Sequence, residues 1–172
     1  YAGGIVKHLI ESDKKYDILI GTSTGALLCP LVAVEEIELL KEALTTITQK
    51  SIFRINPFRV KKSKKGTNKI SIDYWNVMIN MLFHDKRTFG DSSNFDKFIA
   101  KFLTPEIYQA IRETNKDVIA TVTNLSLAKA EYHSTRENNR ETFLKWLHAS
   151  SSLPPFMNII EHEGSEYADG GL

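Results

Sequence analysis

Apolar residues recur along the chain with two different spacings. Spacings of three and four residues predict helices around residues 5–10, 25–34, 37–47, 95–103 and 142–150. Pro30 is expected to kink or break the second helix, and Ser92 or Ser93 to be the N-cap of the fourth. Short runs of strand-forming residues predict strands over 16–20, 118–123 and 166–168, with 130–134 as a continuation or hairpin partner of the second. Because strands alternate with helices, we expect an α/β fold with a central, mostly parallel sheet flanked by helices.

The composition is that of an ordinary globular domain. The chain has 172 residues, of which 42% are hydrophobic and 25% are charged, and this length corresponds to a single domain with a buried core. Its 22 Lys and Arg against 21 Asp and Glu give a net charge of +1, which argues against a nucleic-acid-binding protein. Cys29 is the only cysteine, so an internal disulfide and a Cys-rich zinc site are both excluded. We expect no metal and no other cofactor.

Both ends of the sequence look like the interior of a longer protein. The chain begins at Tyr1 without a methionine, and it stops directly after a turn signal at Asp169-Gly-Gly. We therefore expect an excerpt of a longer chain, whose localisation the sequence leaves open. The apolar stretch over 18–34 contains glycines and a proline, so it is not predicted to span a membrane.

The charges are distributed unevenly. Between Glu42 and Asp73 there are eight basic residues and no acidic one, which leaves 14 basic against 21 acidic residues, a net charge of −7, elsewhere. The basic stretch is expected either to be a solvated loop or to contact an anionic membrane surface. The residues predicted to make that contact are Lys61, Lys62, Lys64 and Lys65. The apolar residues between the charges either belong to the core or insert shallowly into lipid, namely Phe53, Ile55 and Phe58.

A strand-to-helix turn carries a candidate nucleophile. Residues 21–25, Gly-Thr-Ser-Thr-Gly, match the pattern G-x-S-x-G, with Ser23 at the centre and Thr22 and Thr24 beside it. In such an elbow the serine occupies a strained turn, so Gly21 and Gly25 are expected to avoid clashes. The N-terminus of the following helix favours a developing oxyanion. A glycine-rich turn without chemistry, or a phosphate site, is the alternative.

The base that would activate Ser23 has two possible origins. In one, a histidine completes a Ser-His-Asp triad, and the chain contains His8, His84, His133, His148 and His162, none of them in a recognisable loop signature. In the other, a carboxylate acts directly. Asp169 fits this role because it follows a short strand and precedes Gly170 and Gly171, whose lack of side chains allows close backbone approach.

The order of these motifs resembles the patatin-like phospholipases, which are lipid acyl hydrolases with a Ser-Asp dyad. Residues 21–25 and the distant Asp169-Gly170-Gly171 match the two halves of that dyad. Residues 1–9 are similar to the family's first helix, and Ala149–Pro154 is similar to the stretch that precedes the dyad aspartate. The resemblance covers the chain as one domain, 1–172, with a weak middle over 49–90, and it implies a sheet flanked by helices.

The resemblance also implies the chemistry. Ser23 would be the nucleophile and Asp169 the base in the hydrolysis of a lipid or phospholipid ester through an acyl-enzyme. In the family, the Gly-rich oxyanion loop ends just before the segment that Tyr1 matches, so by the resemblance this loop either lies outside the excerpt or is absent from the protein. Gly3 and Gly4 align inside the first helix and are not assigned its role. The amide of Thr24 would then be one oxyanion donor, and because losing a donor costs about 10²–10³ in turnover, the excerpt is expected to be a weak catalyst.

Two other functions are compatible with the same residues. A serine esterase that depends on histidine would use the same elbow with a different base. A patatin-like module without activity would bind lipid or a protein partner and would not react through Ser23. Replacement of Asp169 discriminates the first alternative, and labelling of Ser23 discriminates the second.

Overall fold

A computed structural model describes residues 2–12, 14–62, 67–83 and 87–172. The helices of these residues are α1 (Ala2–Glu11), α2 (Thr24–Ala33), α3 (Ile37–Thr46), α4 (Gln49–Ile52), α5 (Tyr74–Phe83), α6 (Asn94–Phe102), α7 (Pro105–Glu113) and α8 (Arg140–Ser150). The strands are β1 (Ile18–Thr22), β2 (Phe58–Lys62), β3 (Asn68–Ile72), β4 (Asp117–Asn124), β5 (Lys129–Ser134), β6 (Ile160–His162) and β7 (Ser165–Asp169). The predicted α/β class is confirmed.

The longest strand, β4, is the centre of a five-stranded sheet. β5 pairs with it antiparallel along 119–124, β1 pairs with it parallel along 117–121, and β7 pairs with it antiparallel along 122–124. Since β5 occupies one edge of β4 over both stretches, β1 and β7 share the other edge, and β6 continues the sheet beside β7. β2 and β3 form a separate antiparallel pair.

The sheet is mixed, whereas the sequence predicts a mostly parallel one. The pairing of β1 with β4 is parallel, and the other three pairings described in this sheet are antiparallel. Short connections explain two of these pairings, β4 with β5 and β6 with β7, because a parallel crossover needs a dozen or more residues. Only Glu163 and Gly164, both with positive φ, separate β6 from β7, which is the geometry of a tight hairpin.

The core lies between one face of β4 and the helices α2, α6 and α8. Val118, Ala120 and Val122 alternate along β4 and are fully buried, as expected for the inward positions of a strand. They belong to one cluster with Phe143 and Leu147 of α8. Residues of α2 and α6 belong to the same cluster, so these helices and α8 pack on one face of β4.

One local prediction, a break at Pro30, needs correction, and two others are confirmed. Pro30 does not break α2, which continues to Ala33, because the surrounding apolar turn is buried and packing compensates for one missing hydrogen bond. Ser93 occupies the N-cap position of α6, but its hydroxyl accepts no capping hydrogen bond. Residues 130–134 are the hairpin partner of β4.

Candidate active site

Ser23 lies on the sharp turn between β1 and α2. Its backbone has φ 56° and ψ −128°, a conformation that costs a non-glycine residue about 1–3 kcal/mol and is often found at reactive sites. The amide of Ser23 donates to Ser150 Oγ at 3.0 Å, and Ser151 Oγ donates to the carbonyl oxygen of Ser23 at 3.3 Å. Hydrogen bonds from the end of α8 therefore hold the strained residue at both its amide and its carbonyl group.

The two glycines of the elbow have different roles. A Cβ at Gly21 would lie 2.4 Å from the amide nitrogen of Ala26 and 2.5 Å from the carbonyl oxygen of Gly25, so the turn closes only without a side chain there. A Cβ at Gly25 would meet no described atom within 4 Å. The expected steric need for glycine thus holds at Gly21 and is wrong at Gly25.

Asp169 lies at the point where β1 and β7 meet end to end. The last residue of β1, Thr22, pairs with Thr121, and the last residue of β7, Asp169, pairs with the next residue of β4, Val122. The two strands run toward each other along the same edge of β4, and neighbouring residues of a strand are only about 3.3 Å apart. Ser23 and Asp169, which are distant in sequence, are therefore neighbours at this junction.

The turn after Asp169 explains its two glycines. Thr121 is already paired with Thr22, so the chain must leave the sheet after Asp169. A Cβ at Gly170 would lie 2.4 Å from the carbonyl oxygen of Thr121, and a Cβ at Gly171 would lie 3.2 Å from Asp169 Oδ1. The amide of Gly171 donates to the same Oδ1 at 2.8 Å. The turn thereby fixes the direction of the carboxylate.

The carboxylate of Asp169 has one oxygen available for chemistry. The residue is 8% exposed, and its amide donates to the carbonyl oxygen of Ser152 at 2.8 Å. Within the described ranges, Oδ2 accepts no hydrogen bond, and Ser23 Oγ forms none with Asp169. Catalytic hydrogen bonds are often long in the absence of substrate, so this arrangement is compatible with a base beside Ser23.

The segment Ser150–Ser152 contacts both candidate residues, and these contacts could not be predicted from the sequence. Its first two residues bond the turn at Ser23 and its third bonds Asp169 through the backbone. The resemblance identified this stretch, but not the contacts that it makes. Three consecutive residues therefore set the positions of both members of the candidate pair.

The N-terminus of α2 supplies an amide beside Ser23. The amides of Ala26 and Leu27 bond the carbonyl oxygen of Ser23, whereas the amide of Thr24 forms no hydrogen bond with a described residue. The first amides of a helix have no partner inside the helix and carry partial positive charge. This geometry is compatible with an oxyanion donor at Thr24.

The histidines that the structure describes are directed elsewhere. His148, in α8, is 2% exposed and lies between Ser92 Oγ (Nε2, 3.2 Å) and Asp96 Oδ1 (Nδ1, 2.6 Å). This group has the composition of a Ser-His-Asp triad, but Ser92 is fully buried. His133 stacks on Trp146 at 3.6 Å, where burial lowers the pKa of its imidazole. Among the described residues, no histidine bonds Ser23 or Asp169, and His84 lies outside them.

An apolar cavity of about 320 Å³ opens beside Ser23. Ser23 and Thr24 line its polar end, and the rest of the wall is mainly hydrocarbon, with Leu27 and Leu31 from α2 and Phe98 and Phe102 from α6. Pockets of this size and character bind small apolar ligands. The candidate nucleophile therefore faces a compartment that suits an alkyl chain.

A second groove, of about 390 Å³, has no candidate nucleophile at neutral pH. It lies between α1, β1 and α2 and contains neither Ser23 nor Asp169. Its one thiol is that of Cys29, whose pKa is raised to about 11 by burial, so the thiol stays protonated. Size alone therefore does not identify the site.

The structure does not bring the basic stretch into this site. Lys61 is exposed on β2, the side chain of Lys62 is not described, and Lys64 and Lys65 lie outside the described residues. Phe53 is buried, and the ring of Phe58 packs between Phe53 and Phe156 at centroid distances of 6.0 and 5.1 Å. Ile55 is half-buried. Phe53 and Phe58 therefore pack into the protein, which was one of the two alternatives expected for these residues.

No group of three or more His, Cys, Asp or Glu side chains in the described ranges is arranged to hold a metal ion. None of the helices that the structure describes has the length and apolar character needed to cross a membrane.

One comparison with known proteins identifies the family of this chain. No curated protein matches the chain. The family model described as patatin-like phospholipase matches residues 1–172, the whole chain. On that match, the α/β fold and the apolar cavity beside a serine elbow find a common explanation: the chain belongs to the patatin-like phospholipases, a family of lipid acyl hydrolases.

Proposed function

We propose that this chain is a serine hydrolase that cleaves carboxylic esters of lipids or phospholipids with Ser23 as nucleophile and Asp169 as base. The observation that carries the proposal is the end-to-end meeting of β1 and β7 on one edge of β4. At this junction Ser23, which is in a strained turn, lies next to the carboxylate of Asp169, whose Oδ2 accepts no hydrogen bond from a described residue. A general base must lie within hydrogen-bond reach of the proton that it removes.

The first half of the reaction forms an acyl-enzyme. Asp169 takes the hydroxyl proton of Ser23, and Oγ attacks the carbonyl carbon of the ester. The negative charge then lies on the former carbonyl oxygen, where the Thr24 amide at the start of α2 supplies one donor. The tetrahedral intermediate collapses by breaking the bond to the alcohol oxygen, and the leaving alcohol takes the proton back from Asp169.

The second half regenerates the enzyme. Asp169 removes a proton from a water molecule, whose oxygen attacks the acyl carbon. The ester bond to Ser23 Oγ breaks, and Oγ recovers the proton from Asp169. The products are a carboxylic acid and the alcohol released earlier. The original hydroxyl proton of Ser23 leaves on the alcohol and a proton from water replaces it, so Ser23 and Asp169 both return to their starting protonation states.

The cavity beside Ser23 favours a substrate with an alkyl chain. Its volume of about 320 Å³ accommodates about ten groups of the size of a water molecule or methylene, at about 30 Å³ each. The acyl chain would extend from Ser23 between α2 and α6, where apolar contacts replace water. We also propose that the enzyme contacts an anionic membrane through Lys61, Lys62, Lys64 and Lys65.

Active-site labelling tests the proposal. A fluorophosphonate probe reacts with an activated serine, so the labelled peptide identified by mass spectrometry should contain Ser23, and Ser23→Ala should abolish both labelling and ester hydrolysis. Ser71→Ala is the matched control, since this serine is exposed on β3 and should label as the wild type does. Labelling at another residue, or turnover by Ser23→Ala, would contradict the assignment, and absence of labelling would favour a non-catalytic module.

A further inference from the structure

Helix α5, over Tyr74–Phe83, has its polar and apolar faces reversed. Its ten residues contain no charge, and its two asparagines face the protein. Asn76 Nδ2 donates to the carbonyl oxygen of Asn56 at 3.0 Å, and the fully buried Asn80 donates to that of Thr88 at 2.8 Å. A surface helix normally directs its polar residues to water, so this helix is oriented for a different environment.

The face of α5 that meets solvent is apolar along its length. Its exposed side chains have relative accessibilities between 41% and 77%, and they are Tyr74, Trp75, Met78, Met81 and Leu82. At 100° per residue they fall within an arc of about 120°, which is one continuous stripe. Contiguous exposed apolar patches mark interaction sites with proteins or membranes.

The β2–β3 hairpin directly before α5 carries one exposed apolar pair and one pair of like charges. Val60 and Ile70 lie opposite each other and are both exposed, and the next pair is Lys61 opposite Lys69. Like charges directly opposite each other on neighbouring strands destabilise a hairpin. No described carboxylate forms an ion pair with either lysine. An anionic partner would remove this repulsion.

The base of the hairpin and the first turn of α5 are connected. Arg59 Nη2 lies 3.0 Å from Asp73 Oδ2, and the amide of Asp73 donates to the carbonyl oxygen of Pro57 at 2.8 Å. The start of the apolar stripe and the basic pair therefore belong to one structural unit. We name this unit, residues 58–62 and 67–83, the α5 arm.

We propose that the α5 arm docks on an anionic lipid bilayer, with the exposed face of α5 at the level of the headgroups and Lys61 and Lys69 on lipid phosphates. A bilayer provides the two environments that the arm lacks, namely an apolar medium and negative charge. Trp and Tyr side chains are favoured at this interface. The proposal rests on the proposed function, since a lipid hydrolase must meet its substrate at a membrane.

A second copy of the chain is a less suitable partner. In a twofold dimer the same surface packs against itself, so the lysine pairs of the two copies would be brought toward each other. That arrangement would add to the repulsion between Lys61 and Lys69 and would not relieve it. The charge complementarity therefore favours the bilayer.

The two tryptophans of the chain allow a direct test. Trp75 is 64% exposed in the α5 arm, and Trp146 is 2% exposed in the core. The test uses the full chain with Ser23→Ala, so that the lipid is not consumed, and vesicles of phosphatidylcholine with phosphatidylserine. We expect the fluorescence emission to move to shorter wavelength and to be quenched by lipid brominated in the acyl chains. In a Trp75→Phe variant neither change should occur, because Trp146 is already buried.

Vesicle co-sedimentation with matched variants separates the arm from other surfaces. Trp75→Ser with Leu82→Ser should weaken binding about tenfold or more, whereas Leu127→Ser with Tyr132→Ser, at 60% and 62% exposure, should not. Lys61→Gln with Lys69→Gln should weaken binding roughly twenty-fivefold, at about fivefold for each charge near an anionic surface. The control pair Lys97→Gln and Lys145→Gln should have little effect.

Three results would overturn the proposal. They are unchanged Trp75 emission with vesicles, equal binding by the Trp75→Ser and Leu82→Ser variant, and a lipid-free dimer that this variant converts to a monomer. Hydrolysis of a water-soluble short-chain ester by the unsubstituted chain tests the proposed function separately. If that activity is absent while Trp75 still enters the bilayer, the chemistry fails and the docking surface stands.

Discussion

Ser150→Ala removes the hydroxyl oxygen that accepts the amide hydrogen of Ser23. The hydroxyl lies 3.0 Å from that amide, and Ser150 is fully buried. The substitution leaves the Ser23 amide facing a methyl group, and an unsatisfied buried donor costs about 1–3 kcal/mol. Ser23 is also held at a positive φ, so its turn has a strained conformation that it can leave once this contact is lost.

The effect on catalysis follows from the same contact. Suppose that the strained turn becomes less stable than a relaxed one by the same 1–3 kcal/mol. The productive orientation of Ser23 is then less populated by about five- to 150-fold, at 1.36 kcal/mol for each factor of ten. We expect kcat to fall within that range and the free energy of unfolding to fall by roughly 1–3 kcal/mol. Urea unfolding and hydrolysis of a soluble ester measure the two quantities.

Ser134→Ala is the matched control. This serine is also buried and its Oγ accepts a backbone amide, that of Arg136, at 2.9 Å. It lies at the end of β5 opposite Ile119, away from the junction of β1 and β7. The control should lose comparable stability and keep its turnover within about threefold. Equal kcat values for the two variants would refute the inference that α8 positions Ser23.

Three further changes have defined outcomes. Gly21→Ala should lower the thermal unfolding midpoint because its Cβ would lie 2.4 Å from backbone atoms. Gly25→Ala should instead stabilise the chain by about 0.5–1 kcal/mol, as Ala does in an unobstructed helix. An equal loss of stability in the two variants would contradict this difference. Burial tends to raise the pKa of Asp91, but hydrogen bonds from Arg54 and neighbouring groups outweigh it and hold this pKa well below the ordinary 3.8. The lowered pKa stabilises the fold above pH 3.8 and this contribution is lost as pH falls, so urea midpoints should drop between about pH 5 and pH 3 in the wild type and less in Asp91→Asn. Phe98→Ala enlarges the cavity beside the nucleophile, so a series of esters should show a longer preferred acyl chain, and an unchanged profile would argue against acyl binding there.

The sequence predicted those elements in which two independent signals agree. β1 and the start of α2 combine an apolar run with a glycine turn, and α6 has a clear stripe of apolar residues on one face. All three elements are present in the structure. Helix α7 was missed, although Thr104 and Pro105 form a helix-start signal and the Thr104 hydroxyl accepts the amide of Ile107.

Other features were not accessible from local patterns. α5 carries no charged residue, and its clearest polar positions are two asparagines on one side. Sequence patterns place such residues toward solvent, and only the structure reveals that they point inward. The placement of β7 on the same edge of β4 as β1 depends on long-range strand pairing, which local patterns do not specify. The junction of Thr22 and Asp169 beside β4 is a consequence of that pairing. The resemblance therefore suggested Ser23 and Asp169 as a candidate pair, and the structure shows the strand junction at which both residues lie.

The most direct test of the account is a double-mutant comparison at Ser23 and Asp169. Steady-state hydrolysis of a soluble ester is measured for Ser23→Ala, Asp169→Asn and the double variant, with Asp17→Asn, an exposed aspartate before β1, as the control. Since the two groups act as a unit, we expect each single change to remove nearly all turnover and the double variant to be no worse than either. Substantial turnover in Asp169→Asn, or losses that multiply in the double variant, would contradict the claim that Asp169 activates Ser23.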